Sequence, residues 1–445
     1  MEGTYYIETY GCQMNDHDSE KMAALLEKLG LTPSSSPEGA AVVILNTCSI
    51  REKAEHKVYS ALGALKPLKA NRPDMVTIVS GCVAQQQKEK LLKKAGHLDA
   101  VLGTHAIAQL PALVRQIRET RARLSCTDFS GDAESLHMPA PCKGPRSVCS
   151  YVTIMQGCSN FCSYCVVPFT RGPEQSRRSA EIIDEVRGLA ERGIKEITLL
   201  GQNVNAYGND LNGGESFSGL LRMLDAAPGL TRIRFTTSHP RDFHDVLIDA
   251  MADLTSVCEH VHLPLQSGSD RILRAMGRGY TFAEYREKIH RLRARIPAVA
   301  VTADMIVGFP GETDEDFQRT LDALGEIRFD QIFSFKFSAR PGTAARNLPD
   351  QLPEEVKAAR LAQVHALQDT ITMEYHRAAE GTVEEILVEG TQQRTGQLVG
   401  RTRTNKIVNF DAVEGVSEGD LVRVKILRGL KHSFCGLRVS DADAQ

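Results

Sequence analysis

The sequence predicts an α/β protein built in three consecutive parts. These are an N-terminal parallel α/β domain, a central partial (β/α)6 barrel of TIM-like kind, and a small C-terminal all-β barrel of OB-like kind. Three observations carry this expectation. Strand-like and helix-like runs alternate over residues 1–118, the pattern of parallel strands with crossover helices. The same alternation returns for six units over 150–378, more than a flat sheet accommodates naturally. After 379 helical periodicity gives way to five short β-type runs separated by Gly- and Asp-containing turns.

Size and charge narrow the function classes. The chain has 445 residues and a formal net charge of −3, so no global basic field announces nucleic acid and any basic surface is local. Its longest apolar runs, such as 40–45, are far too short to cross a bilayer, so no membrane partner is expected. The eleven cysteines are an odd count, grouped by motif. Met1-Glu2-Gly3-Thr4 leads straight into a strand pattern without a secretory signal. Free thiols in a reducing cytoplasm are therefore expected rather than disulfides.

In the first part, strands are expected at 5–10, 41–46, 75–79 and 98–102. A helix is expected over 19–29, capped by Asp18 and closed by Gly30, with further helices from Arg51, through Lys94 and from Ile107. Cys12, Cys48 and Cys82 each follow the end of one strand, in Tyr10-Gly11-Cys12, Asn46-Thr47-Cys48 and Ser80-Gly81-Cys82. Ligands of open α/β sheets bind outside the carboxyl ends of strands, so three such cysteines converge on one edge. One alone reads as a buried apolar cysteine; three at equivalent positions favour a three-cysteine metal centre. Residues 119–149 lose periodicity and read as a linker rich in Ser, Gly, Pro and Asp. Cys126, Cys142 and Cys149 in it, like Cys258 and Cys435 later, are read as incidental.

The second part opens with the strand 151–155 and then Gln156-Gly157-Cys158-Ser159-Asn160-Phe161-Cys162-Ser163-Tyr164-Cys165. A C-x3-C-x2-C spacing suits soft-metal chemistry. Zinc needs a fourth ligand and usually a second cysteine pair, whereas a four-iron cluster normally takes four cysteines and here would keep one iron open. Spacing alone leaves both readings standing and favours iron–sulfur. Further strands are expected at 196–200, 232–237, 260–265, 299–307 and 331–337, alternating with helices at 180–192, 217–226, 243–253, 282–295 and 315–327, then a long charged helix over 353–378. Polar, Gly-rich segments follow the strand ends, including Gly201-Gln202-Asn203, Thr237-Ser238-His239, Gln266-Ser267-Gly268 and Gly308-Phe309-Pro310. Barrels gather their reactive groups at these ends. His239 and His262 read better as structural histidines.

The third part places its five strands at 382–388, 397–401, 407–410, 421–427 and 437–439. Arg394, Arg401, Arg403, Lys406, Arg423, Lys425, Arg428, Lys431 and Arg438 outnumber the acids Asp411, Glu414, Glu418 and Asp420 there. A small β-barrel with a basic stripe is an RNA-binding platform, although a solvated surface has the same composition.

Cys158, Cys162 and Cys165, with Tyr164 before the last, resemble the motif of radical S-adenosylmethionine enzymes. The three parts in this order resemble the radical S-adenosylmethionine methylthiotransferase family, whose plan ends in a TRAM domain. Thr9-Tyr10-Gly11-Cys12-Gln13-Met14-Asn15, Asn46-Thr47-Cys48-Ser49-Ile50-Arg51 and Gly201-Gln202-Asn203-Val204-Asn205-Ala206-Tyr207 are similar to the branch acting on N6-isopentenyladenosine in tRNA. Relatives that modify a ribosomal protein usually carry Pro-Lys in place of Gln13-Met14.

The resemblance implies two [4Fe–4S] clusters, one on Cys158, Cys162 and Cys165 and an auxiliary one on Cys12, Cys48 and Cys82. It implies S-adenosylmethionine both as radical source and as methyl donor, with Tyr164, Gln202, Asn203, Ser238, Gln266, Ser267 and Gly308 lining its cavity. The expected reaction removes hydrogen from carbon 2 of an adenosine just 3′ of the tRNA anticodon and installs a methylthio group. Expected partners are tRNA and an external flavodoxin- or ferredoxin-like electron donor, acting on a cytoplasmic monomer.

Overall fold

A computed structural model describes residues 2–49, 52–129, 136–138 and 147–439, without the side chains of 52–56. Cys142 lies outside the described residues. The N-terminal part is a six-stranded parallel sheet in the spatial order Thr32–Pro33, Thr4–Thr9, Val42–Thr47, Val76–Gly81, Ala100–Leu102, Leu124–Cys126. The strands Val42–Thr47 and Val76–Gly81 are buried at every position. That is the signature of a parallel sheet covered on both faces, and two separate apolar clusters flank it.

Two expectations are corrected here. The first helix runs Gln13–Lys28 with Cys12 at its N-cap, so Asp18 is not a cap but a buried residue of the second turn. The apolar spacing of 19–29 marks only the buried stripe of a helix that begins a turn and a half earlier. The strand Leu124–Cys126 lies within 119–149, expected to be a linker, and pairs with Ala100–Leu102. Three residues are too short for a period-2 pattern to register.

Six parallel strands follow in sequential spatial order. Cys149–Thr153, Glu196–Leu200 and Arg232–Phe235 form one run. His260–His262, Ala300–Val307 and Gln331–Lys336 form the next. The bridge Ile233 to Val257 ties the first run to the segment leading into the second. Helices Ser179–Glu191, Phe217–Asp225, Asp245–Asp253, Phe282–Arg295 and Asp314–Ile327 alternate with the strands. Phe282–Arg295 and Asp314–Ile327 each open on a complete capping box, from Thr281 with Glu284 and from Thr313 with Asp316.

The long helix Glu354–Ala378 leads into a closed five-stranded barrel of Val383–Thr391, Leu398–Thr402, Ile407–Phe410, Leu421–Gly429 and Phe434–Arg438. Alternation over 421–426 sends Val422, Val424 and Ile426 inward and Arg423 and Lys425 outward. That period-2 pattern is what a one-sided sheet requires. Among the described residues no helix is long and apolar enough to cross a membrane.

Candidate active site

The register of the N-terminal sheet brings the first three cysteines together. Thr9 stands opposite Asn46, and Thr47 opposite Gly81, so three adjacent strands end side by side. Cys48 and Cys82 are buried and Cys12 partly so. Two asparagines lock the loops. Asn15 Nδ2 donates to Asn46 Oδ1 at 3.2 Å and to the Thr47 carbonyl at 3.1 Å, while Asn46 Nδ2 donates to the Asn15 carbonyl at 2.8 Å. Gly81 adopts a φ of +88°, and a Cβ there would lie 2.4 Å from the Thr47 carbonyl oxygen. Only glycine lets the third strand end approach the second so closely. The Cys12 thiol is held down to about 6, foremost by its hydrogen bond with Cys48, with the charge of Arg171 adding. Burial pushes Cys82 up, against the same arginine.

Cys158, Cys162 and Cys165 sit on the loop after the first barrel strand. Gly157, with φ +82°, starts this loop, and a Cβ there would meet the Pro173 carbonyl oxygen at 1.9 Å. The return segment therefore packs directly on the outgoing one, and Cys158 N–H donates to the Gly172 carbonyl at 3.1 Å. Each sulfur accepts a hydrogen bond. Asn160 Nδ2 donates to Cys158 at 3.5 Å, Arg278 Nη1 to Cys162 at 3.4 Å and Val167 N–H to Cys165 at 3.5 Å. Burial raises Cys158, and it pushes Cys165 up to about 12. Thiols so desolvated become good ligands once a metal takes their proton.

The donor sets fit iron–sulfur clusters better than single ions. Among the described residues, the only three candidate ligands whose atoms all lie within 4.8 Å of one another are Cys149, Glu196 and Glu389. Neither cysteine triad closes to that span. A tetrahedral zinc with Zn–S near 2.3 Å would hold its sulfurs roughly 3.8 Å apart. Wide triads of soft sulfur suit a polynuclear cluster. The Cys149 group is already balanced, because Arg234 Nε lies 2.9 Å from Glu196 and Arg401 Nε 3.1 Å from Glu389.

The strand-end residues expected to line the cofactor cavity divide into two sets. Asn203 Oδ1, Ser238 Oγ and Gln266 Oε1 are buried and have no hydrogen-bond partner among the described residues. Buried polar atoms are normally paired, so these three fit a polar ligand. Gln266 also takes a φ of +73°, as does Thr237 at +67°, strained conformations that gather at functional sites. The other residues are engaged in the fold. Gln202 Oε1 accepts from Gly157 N–H at 2.5 Å, Ser267 Oγ from Ser269 N–H at 3.2 Å, and Gly308 N–H donates to Glu312 at 2.6 Å. Tyr164 packs against the apolar cluster that includes Ile272, Met276 and Phe309, and its hydroxyl accepts from Arg278 at 3.4 Å. His262 pairs with Thr302 at 2.9 Å. His239 accepts from Arg241 N–H, and burial, aided by Arg278 and Arg241, lowers its pKa to about 2.

Models of three families match along the chain. Uncharacterized protein family UPF0004 covers residues 4–103, the Radical SAM superfamily 152–324, and the TRAM domain 377–434. The tRNA-2-methylthio-N(6)-dimethylallyladenosine synthase of Syntrophotalea carbinolica is 49% identical over 438 residues, covering 98% of this chain and 100% of the relative. The chain belongs to this synthase family. The synthase of Geotalea uraniireducens is likewise 49% identical, covering 98% of both chains. In fold the chain is similar to a radical S-adenosylmethionine methyltransferase from Kitasatospora setae solved with cobalamin and a [4Fe-4S] cluster. The TM-score is 0.57 at 14% identity, covering 86% of this chain and 77% of that one. As a radical SAM protein of this family, the chain uses an iron–sulfur cluster and S-adenosylmethionine, and tRNA is its substrate.

Three features of the site escaped sequence reasoning. Arg278, 5% exposed, ties Cys162 and Tyr164 to the Pro264 carbonyl. Its only sequence signal is an arginine between two glycines, Gly277 and Gly279. Arg171 pairs with Asp18 at 2.7 Å across the two parts. Arg232 and Arg234 alternate with Ile233 and Phe235 in a strand whose inward positions ought to be apolar. They donate at 2.7 Å to the carbonyls of Arg401, Arg403 and Thr402 in the C-terminal barrel. The expected basic stripe is correspondingly smaller. Arg401, Arg403, Lys406 and Lys431 pair with Glu389, Glu259, Asp330 and Asp369. Arg423, Lys425, Arg428 and Arg438 remain exposed, and Arg394 with them.

Proposed function

We propose that this chain methylthiolates carbon 2 of N6-dimethylallyl (isopentenyl) adenosine immediately 3′ of the anticodon in tRNA. Cys158, Cys162 and Cys165 would hold one four-iron cluster, and Cys12, Cys48 and Cys82 a second. With S-adenosylmethionine, the first cluster would supply a 5′-deoxyadenosyl radical, and the second the sulfur that is methylated and transferred. Every remaining task falls to the chain's own side chains. Arg278 and the Val167 N–H donate to ligand sulfurs and orient them. Tyr164, Gln202, Asn203, Ser238, Gln266, Ser267 and Gly308 would line the S-adenosylmethionine cavity, the unpaired oxygens of Asn203, Ser238 and Gln266 making direct contacts.

The division of labour follows residues 1–118, 150–378 and 379–445, with the edge strand Leu124–Cys126 added to the first. Exposed Arg423, Lys425, Arg428 and Arg438 would hold phosphates of the stem while the anticodon loop presents an unstacked base. A cytoplasmic monomer with a flavodoxin- or ferredoxin-like reductant suffices for this scheme.

The observation that carries the proposal is the Asp18–Arg171 pair, which ties the helix following Cys12 to the segment following Cys165. Nucleoside mass spectrometry on tRNA from a deletion strain tests the substrate. Loss of 2-methylthio-N6-dimethylallyladenosine with accumulation of N6-dimethylallyladenosine is expected. Persistence of the methylthio nucleoside would refute the assignment.

A further inference from the structure

Arg171 leaves the loop of Cys158, Cys162 and Cys165 and enters the other cysteine set. It is 3% exposed. Its backbone is clamped to the N-terminal sheet, for His105 Nε2 lies 2.9 Å from the Arg171 carbonyl and Thr104 Oγ1 donates to the Thr170 carbonyl at 2.7 Å. Nη2 donates to Asp18 Oδ2 at 2.7 Å. Nη1 is buried without a well-aligned hydrogen-bond partner among the described residues, and the guanidinium lies against the Cys82 thiol. Burial opposes the charge of the guanidinium, and Asp18, then Cys82 and Cys12, favour it. A buried guanidinium with a poorly aligned donor is costly, and native structures rarely leave one so. A salt bridge between the two parts would account for Nη2 alone. A lysine would have served that single contact, whereas an arginine presents donors in a rigid fork suited to two acceptors.

We propose that Arg171 is the sulfur-holding residue of the N-terminal centre, resting on the two-cluster reading above. Asp18 fixes one edge of its guanidinium, and the other edge donates to an anionic sulfur ligand of hydrosulfide or thiolate type carried beside Cys12 and Cys82. The radical loop thereby reaches across to orient the atom that its own product must accept. The interaction is charge-assisted, so its loss weakens hydrosulfide binding by about tenfold or more.

The test uses the full-length chain with Cys158→Ala, Cys162→Ala and Cys165→Ala, so that only the N-terminal set is loaded. Iron is counted after anaerobic reconstitution. Absence of iron here refutes the two-cluster reading itself, and with it this proposal. With about four irons present, sodium hydrosulfide is titrated against the electron paramagnetic resonance spectrum of the reduced cluster. The same titration is made with Arg171→Gln and Arg171→Lys added. The proposal expects Arg171→Gln to need about tenfold more hydrosulfide for the same spectral change, and Arg171→Lys an intermediate amount. Equal titrations in all three chains would overturn it, whatever happens to the melting temperature, because a strap alone does not alter anion affinity. If Arg171→Gln fails to hold iron, Arg171→Lys decides. A titration like that of arginine overturns the proposal, and a weaker one supports it.

Discussion

Gly81 is where residue chemistry and site geometry meet most tightly. Its positive φ and the 2.4 Å approach of the Thr47 carbonyl oxygen leave no room for a side chain beside Cys82. Gly81→Ala is expected to destabilise the chain by about 2 kcal/mol or more, from left-handed strain plus a backbone clash. It should also lower the iron held by the N-terminal set. The matched control is Gly63→Ala, at an exposed position of the helix Glu52–Asn71 with nothing within 4 Å of a new Cβ. That change should stabilise by up to about 1 kcal/mol. Denaturant melts of both variants check the contrast. Asp18→Ala tests the same scale from the other side. It leaves Arg171 buried without its carboxylate, at a cost of about 3–5 kcal/mol in chemical denaturation.

At the scale of elements, the strand Arg232–Phe235 shows what the C-terminal barrel is anchored to. Its arginines satisfy carbonyls of the barrel, while Arg403 reaches back to Glu259 at 2.7 Å and to the Val257 carbonyl at 2.7 Å. These cations are therefore spent on docking. The strand Leu421–Gly429 instead carries Arg423 and Lys425 on its exposed face. Replacing Arg423 and Lys425 with Ala is expected to weaken tRNA binding and to reduce the slope of log affinity against log salt by roughly one per cation that meets a phosphate. Arg403→Ala should instead lower the melting temperature through loss of docking. A salt titration of tRNA affinity beside a melt separates the two classes. Charge counting from the sequence could not make this division, since Arg403 and Arg423 each stand between two β-branched residues. Which of them faces a partner is decided by packing between elements 140 or more residues apart.

For the whole molecule, the order of the three parts and the placement of Cys12, Cys48 and Cys82 after the ends of three adjacent strands were legible, because both follow from strand periodicity and from where α/β sheets end. Arg171, Arg278 and the Asn15–Asn46 lock were not legible. Each acts across contacts that local pattern does not encode, and each gives a buried polar group its partner only after folding. Asp18 was misread as a cap for the same reason: an aspartate before an apolar stripe is ambiguous until its partner, Arg171, is in place.

The central claim is that two separate centres act in one chain. Full-length protein carrying Cys12→Ala, Cys48→Ala and Cys82→Ala is the most direct measurement. After anaerobic reconstitution it should hold about four irons where the parent holds about eight. It should still cleave S-adenosylmethionine under reduction, and it should form no methylthio nucleoside on tRNA. Retained methylthiolation, or loss of S-adenosylmethionine cleavage in a chain that still holds four irons, would contradict it.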